Sequence, residues 1–216
     1  MPMKLYYHPL STYSQKVLMA LYEKEVAFEP NVVNLFDEGV RAEYREVYPL
    51  GKIPCVVLDD GHMIPESSII VEYLDTHFGS GTPLIPAAPD DARQVRFKDR
   101  MCDLHLNDHV ASLVFERWKP EAQRSREIAE RANFHIGVVY RFLERNLAGG
   151  GWMHGEHFSM ADCAAAPPLS YARQVAPFDA HPNVSAYWER LSARPSFARV
   201  AEEAAPHLAK LAERTA

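Results

Sequence analysis

Between Phe78 and Asp91 the sequence FGSGTPLIPAAPDD sets two glycines and three prolines into one short stretch, and the chain changes character across it. Such a concentration of residues that break both helix and strand marks a linker. Before it, strand and helix patterns alternate. After it, strand signals stop and long helical stretches take over. A chain divided in this way folds as an α/β unit joined to an all-helical one.

The first part carries its own order. MKLYY (3–7) reads as a short strand, and Val17, Leu18, Leu21 and Tyr22 mark one face of a helix. AFEPNVVNL (27–35) reads as a second strand. IPCVVLDDGHMI (53–64) reads as two short strands turning at Asp60-Gly61, where glycine accepts the positive φ of a tight hairpin. From Ser67 to His77 the apolar residues Ile69, Ile70, Tyr73 and Leu74 recur on one helix face. Strand–helix–strand followed by hairpin–helix is an α/β unit of thioredoxin type. The expected organisation is a thioredoxin-like domain over 1–78, a linker over 79–90 and an all-α domain over 91–216. Breaks in the helical part are expected at Pro120, at LAGGGWMHGEHF (147–158) and at Pro167, Pro177, Pro182 and Pro195. FSMADCAAA (158–166) offers Ser159 as a helix N-cap with Asp162 three residues on, close to a capping box worth about 1 kcal/mol.

Composition narrows the functional classes. The net charge of −6 and a pI near 5.9 argue against nonspecific nucleic-acid binding, which needs a basic surface. Cys55, Cys102 and Cys163 are far apart, odd in number and without a C-x-x-C, so no disulfide framework is expected. The start shows no charged segment leading into a long apolar one, and no run reaches the roughly 20 apolar residues of a membrane helix. The expectation is a reduced, cytoplasmic protein with no membrane or nucleic-acid partner.

Three stretches carry candidate chemistry. In YYHPLSTYS (6–14) hydroxyls crowd the start of a helix, where they serve as caps or as donors to a ligand's anion. Ile53-Pro54 opens a strand at the one position where a sheet tolerates proline. If that bond is cis, the main chain of Ile53 faces outward and can pair with an extended, peptide-like ligand. PESS (65–68) precedes a helix whose free N–H groups and positive dipole end favour a carboxylate. Ser67 adds a hydroxyl there and Glu66 an acceptor for an ammonium, so that one zwitterionic amino-acid head satisfies both. As ordinary residues, Ser67 is an N-cap and Glu66 a solvated acid.

HPLSTYSQKVLMALYEK, YPLGKIP, ESSIIVEYL and FSMADCAAAPPL together resemble the cytosolic glutathione transferases, and the first resembles the serine-type, phi- and theta-like classes. The resemblance spans both halves and implies the glutathione transferase fold. It implies that Ser11 stabilises the glutathione thiolate, with Tyr6 or Tyr7 as the alternative that tyrosine-type classes suggest. It places Ile53 against the cysteinyl part of glutathione, Pro54 as the cis-proline, Glu66 and Ser67 at the γ-glutamyl head, and Lys52 and Arg41 near the glycyl carboxylate. Two positions depart from the pattern. Tyr48 replaces an asparagine before the P-x-G segment, and Gly39 lies near a position where phi members often carry histidine.

The implied activity is attack of glutathione, as co-substrate, on a small hydrophobic electrophile by a homodimeric enzyme without a metal. A noncatalytic scaffold or ligand-binding protein on the same fold is the alternative. A free thiol has a pKa near 8.5, and lowering it by two units needs about 2.7 kcal/mol of preferential anion stabilisation. A donated hydroxyl bond and a helix N-terminus can supply that together. His105 and His109 share a helix face at i, i+4, a metal-compatible spacing that lacks a third ligand. Met101, His105 and Val110 are expected to line the electrophile cleft, and Cys55 to be buried in the hairpin.

Overall fold

The computed structural model describes residues 3–215, with side chains described to Leu211. Its first part runs β1 (Met3–Tyr7), α1 (Thr12–Glu23), β2 (Phe28–Val32), α2 (Glu38–Val47), β3 (Cys55–Val57), β4 (Met63–Pro65) and α3 (Ser67–His77). The strands form one sheet in the order β2-β1-β3-β4. β1 and β2 are parallel, while β3 is antiparallel to both β1 and β4. β1 alternates: Met3, Leu5 and Tyr7 are buried, while Tyr6 turns to the other face and packs on Tyr44 of α2. Pro30 is accommodated because β2 is an edge strand, where a missing N–H costs no ladder bond.

No helix follows α3 until α4 (Pro89–Met101). A six-residue π-helix (Cys102–Asn107) then leads into α5 (Asp108–Trp118), and a 3₁₀ turn (Glu121–Gln123) separates it from α6 (Arg126–Asn146). α7 (Met160–Val175), α8 (Pro182–Ser192) and α9 (Pro195–Thr215) complete the chain. α1 is buried from Ser14 to Leu21 because it lies between α3 on one side and α7 and α9 on the other. The apolar run Val17–Leu21 follows from this enclosure, while the buried polar residues Ser14, Gln15 and Lys16 each find a partner inside the fold.

Two expectations change. α2 is an additional helix: Val40, Tyr44 and Val47 recur at i, i+4 and i+7 and face the small cluster of Val33, Tyr48 and Cys55, although only Tyr44 is fully buried. Pro167 does not interrupt the chain: α7 runs through both Pro167 and Pro168. The cost of the missing N–H groups is met by packing, since every residue from Met160 to Leu169 is buried. Pro182 and Pro195 do sit at helix starts, where proline suits the first turn.

The Ser159–Asp162 box is present and is larger than a cap. Asp162 Oδ2 accepts the Ser159 N–H and O–H, both at 2.8 Å. Its Oδ1 accepts the Met153 N–H at 2.8 Å and the Tyr187 hydroxyl at 2.7 Å. One buried carboxylate thus ties α7, α8 and the 147–158 turn together.

Candidate functional site

The sheet register brings the candidate segments to one edge. Tyr6 pairs with Cys55, and Cys55 with Pro65, so these three form a single rung. One residue beyond that rung lie Tyr7, Pro54 and Glu66, each leaving the sheet in the same direction. Tyr7 pairs with Val32 in the parallel β2, so the loop carrying Phe36 leaves there as well. α1 and α3 both begin at this edge. The carboxyl ends of strands and the positive ends of two helices therefore meet there, a geometry suited to anionic ligands.

The β1–α1 loop is held in place from several sides. The Ser11 N–H donates to the His8 carbonyl at 2.9 Å, and the Gln15 amide donates to Pro9 O at 2.7 Å. The Tyr171 hydroxyl reaches from α7 to Leu10 O at 3.0 Å. Ser11 is the N-cap of α1, its Oγ accepting the Ser14 N–H at 3.3 Å. Its own hydroxyl proton has no acceptor among the described residues. Capping and donating are therefore compatible at Ser11, since one uses a lone pair and the other the proton. Ser14 is committed to the loop, accepting the His8 N–H at 3.3 Å.

The tyrosines face elsewhere. Tyr6 stacks on Tyr44, with ring centroids 5.5 Å apart. Tyr7 packs edge-on against Phe28 and lines a cavity of about 770 Å³ with Leu21, Arg199, Glu203 and His207. That cavity touches none of Ser11, Ile53, Glu66 or Ser67. Burial first, and Glu203 second, push the Tyr7 phenol above its usual range, so it stays protonated. Tyr13 donates to Asp108 at 2.9 Å and so joins the start of α1 to the start of α5.

The Ile53-Pro54 bond is cis. Neither the N–H nor the carbonyl of Ile53 is bonded to a described group, whereas the neighbouring Lys52 carbonyl accepts the Tyr44 hydroxyl at 2.7 Å. Glu66 has φ +70°, a left-handed conformation rare for a residue with a Cβ, and its side chain is exposed and caps nothing. Ser67 is buried, and its hydroxyl has no described partner. The first N–H groups of α3 are also free, since the ladder begins with Ile70 bonding to Glu66. Lys52 is exposed, and Arg41 on α2 stands 4.0 Å from Glu38. Gly39 lies in the first turn of α2, and Tyr48 is buried with its phenol raised by burial and then by Glu66.

Lys16 lies away from this edge. It is 1% exposed, and its Nζ stands 2.6 Å from Asp99 Oδ1, 2.8 Å from Asp103 Oδ2 and 2.8 Å from Ser68 Oγ. Ser68 in turn donates to Asp99 Oδ2 at 2.7 Å. The π-helix swings Asp103 into this cluster.

Phe36, in the loop after β2, is 73% exposed and its ring lies 6.3 Å from Trp118, which packs on Phe115 at 5.2 Å. These aromatics, contributed by both halves, form an apolar wall. Met101 and Val110, expected to line the electrophile cleft, are instead buried in the core. His105 is exposed, and His109 stacks on His135 at 4.5 Å. Among the described residues no group of three potential ligands gathers to hold a metal. Cys55 is buried, and burial pushes its thiol up to about 11.

Comparison with known proteins matches both halves. Residues 5–83 match the glutathione S-transferase N-terminal domain, and residues 102–195 match the corresponding C-terminal domain. Glutathione S-transferase 3 of Zea mays is 30% identical, over 91% of this chain and 91% of its own. A glutathione S-transferase from Methylobacillus flagellatus KT, solved with GSH bound, superposes with a TM-score of 0.81 at 29% identity, covering 92% of this chain and 98% of that one. Glutathione transferase F7 from Populus trichocarpa gives 0.82 at 29%, covering 93% and 98%.

Proposed function

The chain belongs to the glutathione S-transferase family, and on that premise we propose that it is an enzyme that binds glutathione at this sheet edge and activates its thiol. The observation that carries the proposal is the set of unpaired polar groups along one edge: the Ser11 proton, the Ile53 main chain, the Ser67 hydroxyl and the first N–H groups of α3. Buried or half-buried groups of this kind are costly unless a ligand completes them.

Each part of glutathione then has a partner. The γ-glutamyl carboxylate meets the α3 N-terminus and Ser67, and its ammonium meets Glu66. The cysteinyl amide pairs with Ile53, beside Pro54. The sulfur lies at Ser11 and the start of α1, while Lys52 and Arg41 draw the glycyl carboxylate. Ser11 donates its proton toward the thiolate and is not itself the nucleophile. The electron pair of the sulfur attacks the electrophile, and the leaving group departs from the carbon attacked. Phe36, Phe115 and Trp118 supply an apolar surface for that second substrate.

The thioredoxin-like domain (1–78), the linker (79–90) and the helical domain (91–216) act as the units of this enzyme. We assign it to the cytoplasm, as a homodimer, and exposed Ile69, Phe97 and Leu104 support self-association. The test is glutathione-dependent turnover of an activated aryl halide by the purified protein. Saturable turnover supports the enzyme reading. Glutathione binding without turnover favours a carrier, and no binding favours a scaffold.

A further inference from the structure

The strained turn at the start of α3 and the buried lysine of α1 are connected by one residue, Ser68. Glu66 adopts φ +70° without a side-chain cap, and two residues on Ser68 is fixed by three charged groups. Lys16 donates to its Oγ at 2.8 Å, and that Oγ donates to Asp99 at 2.7 Å with Asp103 Oδ2 at 3.2 Å. Lys16 is contributed by α1, Asp99 by α4 and Asp103 by the π-helix, so elements from both halves converge on this hydroxyl. Lys16 and Asp99 are each 1% exposed, and neither side chain reaches the open edge of the sheet. Backbone strain persists only where its surroundings over-determine it.

We propose that Lys16, acting through Ser68 with Asp99 and Asp103, is a positioning residue that holds the Glu66–Ser67 turn in its ligand-ready conformation. The inference rests on the reading that this turn grips the γ-glutamyl head. A residue bearing a Cβ in a sparsely populated region such as φ +70°, ψ +120° is disfavoured by roughly tenfold or more against relaxed alternatives. Without the anchor the turn spends only about a tenth of its time ready, and the apparent dissociation constant rises in proportion. The sulfur end is held by a different loop and is unaffected.

Lys16→Met leaves two aspartates buried without their cation and risks the fold, so Ser68→Ala is the primary variant and Ser68→Thr, which keeps the hydroxyl, is the rescue. The readouts are glutathione affinity by calorimetry, kcat at saturating glutathione and the thiol pKa of the bound tripeptide. Ser68→Ala is expected to bind roughly tenfold more weakly with kcat and bound-thiol pKa within twofold and a few tenths of wild type, while Ser68→Thr binds within about twofold of wild type. A Ser68→Ala protein that melts earlier but binds normally overturns the proposal, because the cluster is then only structural. A rise in bound-thiol pKa, or equally weak binding by Ser68→Thr, overturns it too. Absence of glutathione binding by the wild type overturns the functional reading itself, and this inference with it.

Discussion

Replacing Asp162 by alanine tests how the helical half is held together. Each carboxylate oxygen accepts two hydrogen bonds, from Ser159 N–H and O–H on one side and from Met153 N–H and Tyr187 O–H on the other. Met153 and Tyr187 are 0% exposed, and Ser159 is 3% exposed, so water cannot replace the lost acceptor. Of the four donors, the Ser159 hydroxyl can rotate away, and the two main-chain N–H groups and the Tyr187 hydroxyl are left stranded, each at about 1–3 kcal/mol. Removing a buried charge returns part of that. The net loss is about 4 kcal/mol, which lowers the thermal midpoint of a chain this size by roughly 10 °C. An ordinary N-cap is worth about 1 kcal/mol, or roughly 3 °C. Asp162→Asn keeps one acceptor oxygen and is expected to lose about half as much as alanine. Differential scanning calorimetry on the three proteins decides between a hub and a cap. A midpoint lowered by only about 3 °C in Asp162→Ala refutes the hub, and the folded variant is expected to bind glutathione normally.

Three further outcomes are expected at the site. Ser11→Ala lowers kcat by about one to two orders of magnitude while glutathione affinity changes within severalfold, measured by steady-state kinetics and calorimetry; an unchanged kcat moves the role to another hydroxyl. Ser67→Ala weakens glutathione binding by roughly tenfold, read by calorimetry, and an unaltered dissociation constant makes Ser67 a packing residue. Burial and then His207 hold the His8 imidazole below its usual 6.5, and its Nδ1 accepts the Leu10 N–H at 3.2 Å, which requires the neutral ring. Because the folded pKa is depressed, this contribution to stability is complete above 6.5 and is lost as pH falls through the lowered value. Chemical denaturation across that window is expected to show a slope that His8→Gln reduces.

Legibility in the sequence follows how local the determining forces are. α3 is readable residue for residue because its apolar positions recur at helical spacing and a proline lies just before it. The hairpin is readable because Gly61 adopts φ +83°, the conformation the Asp-Gly pair predicts. α2 is legible in principle, since Val40, Tyr44 and Val47 recur at helical spacing, but the stripe is short and set among five charged residues, and only Tyr44 is fully buried. Pro167 and Pro168 mislead because tertiary burial of α7 outweighs their local preference. The cleft positions assigned to Met101 and Val110 fail because both are packed into the core, 6% and 0% exposed, and apolar character alone does not tell a pocket wall from a core. At the site, Ser11, Ile53 and Ser67 are each legible as segment starts. Their meeting at one edge depends on the rung Tyr6–Cys55–Pro65, a long-range pairing. The partners of Lys16 lie 83 and 87 residues away, beyond any local signal. Exposed Phe36 and half-buried Trp118 carry a readable cue in their polar surroundings, but only the fold shows that they face each other.

The most direct test of thiol activation at Ser11 is the thiol pKa of bound glutathione, followed by thiolate absorbance against pH in the wild-type protein and in Ser11→Ala. A bound-thiol pKa about two units below the free value near 8.5 is expected in the wild type, with a return toward the free value in the variant. A wild-type pKa that stays near the free value, with glutathione demonstrably bound, contradicts that activation.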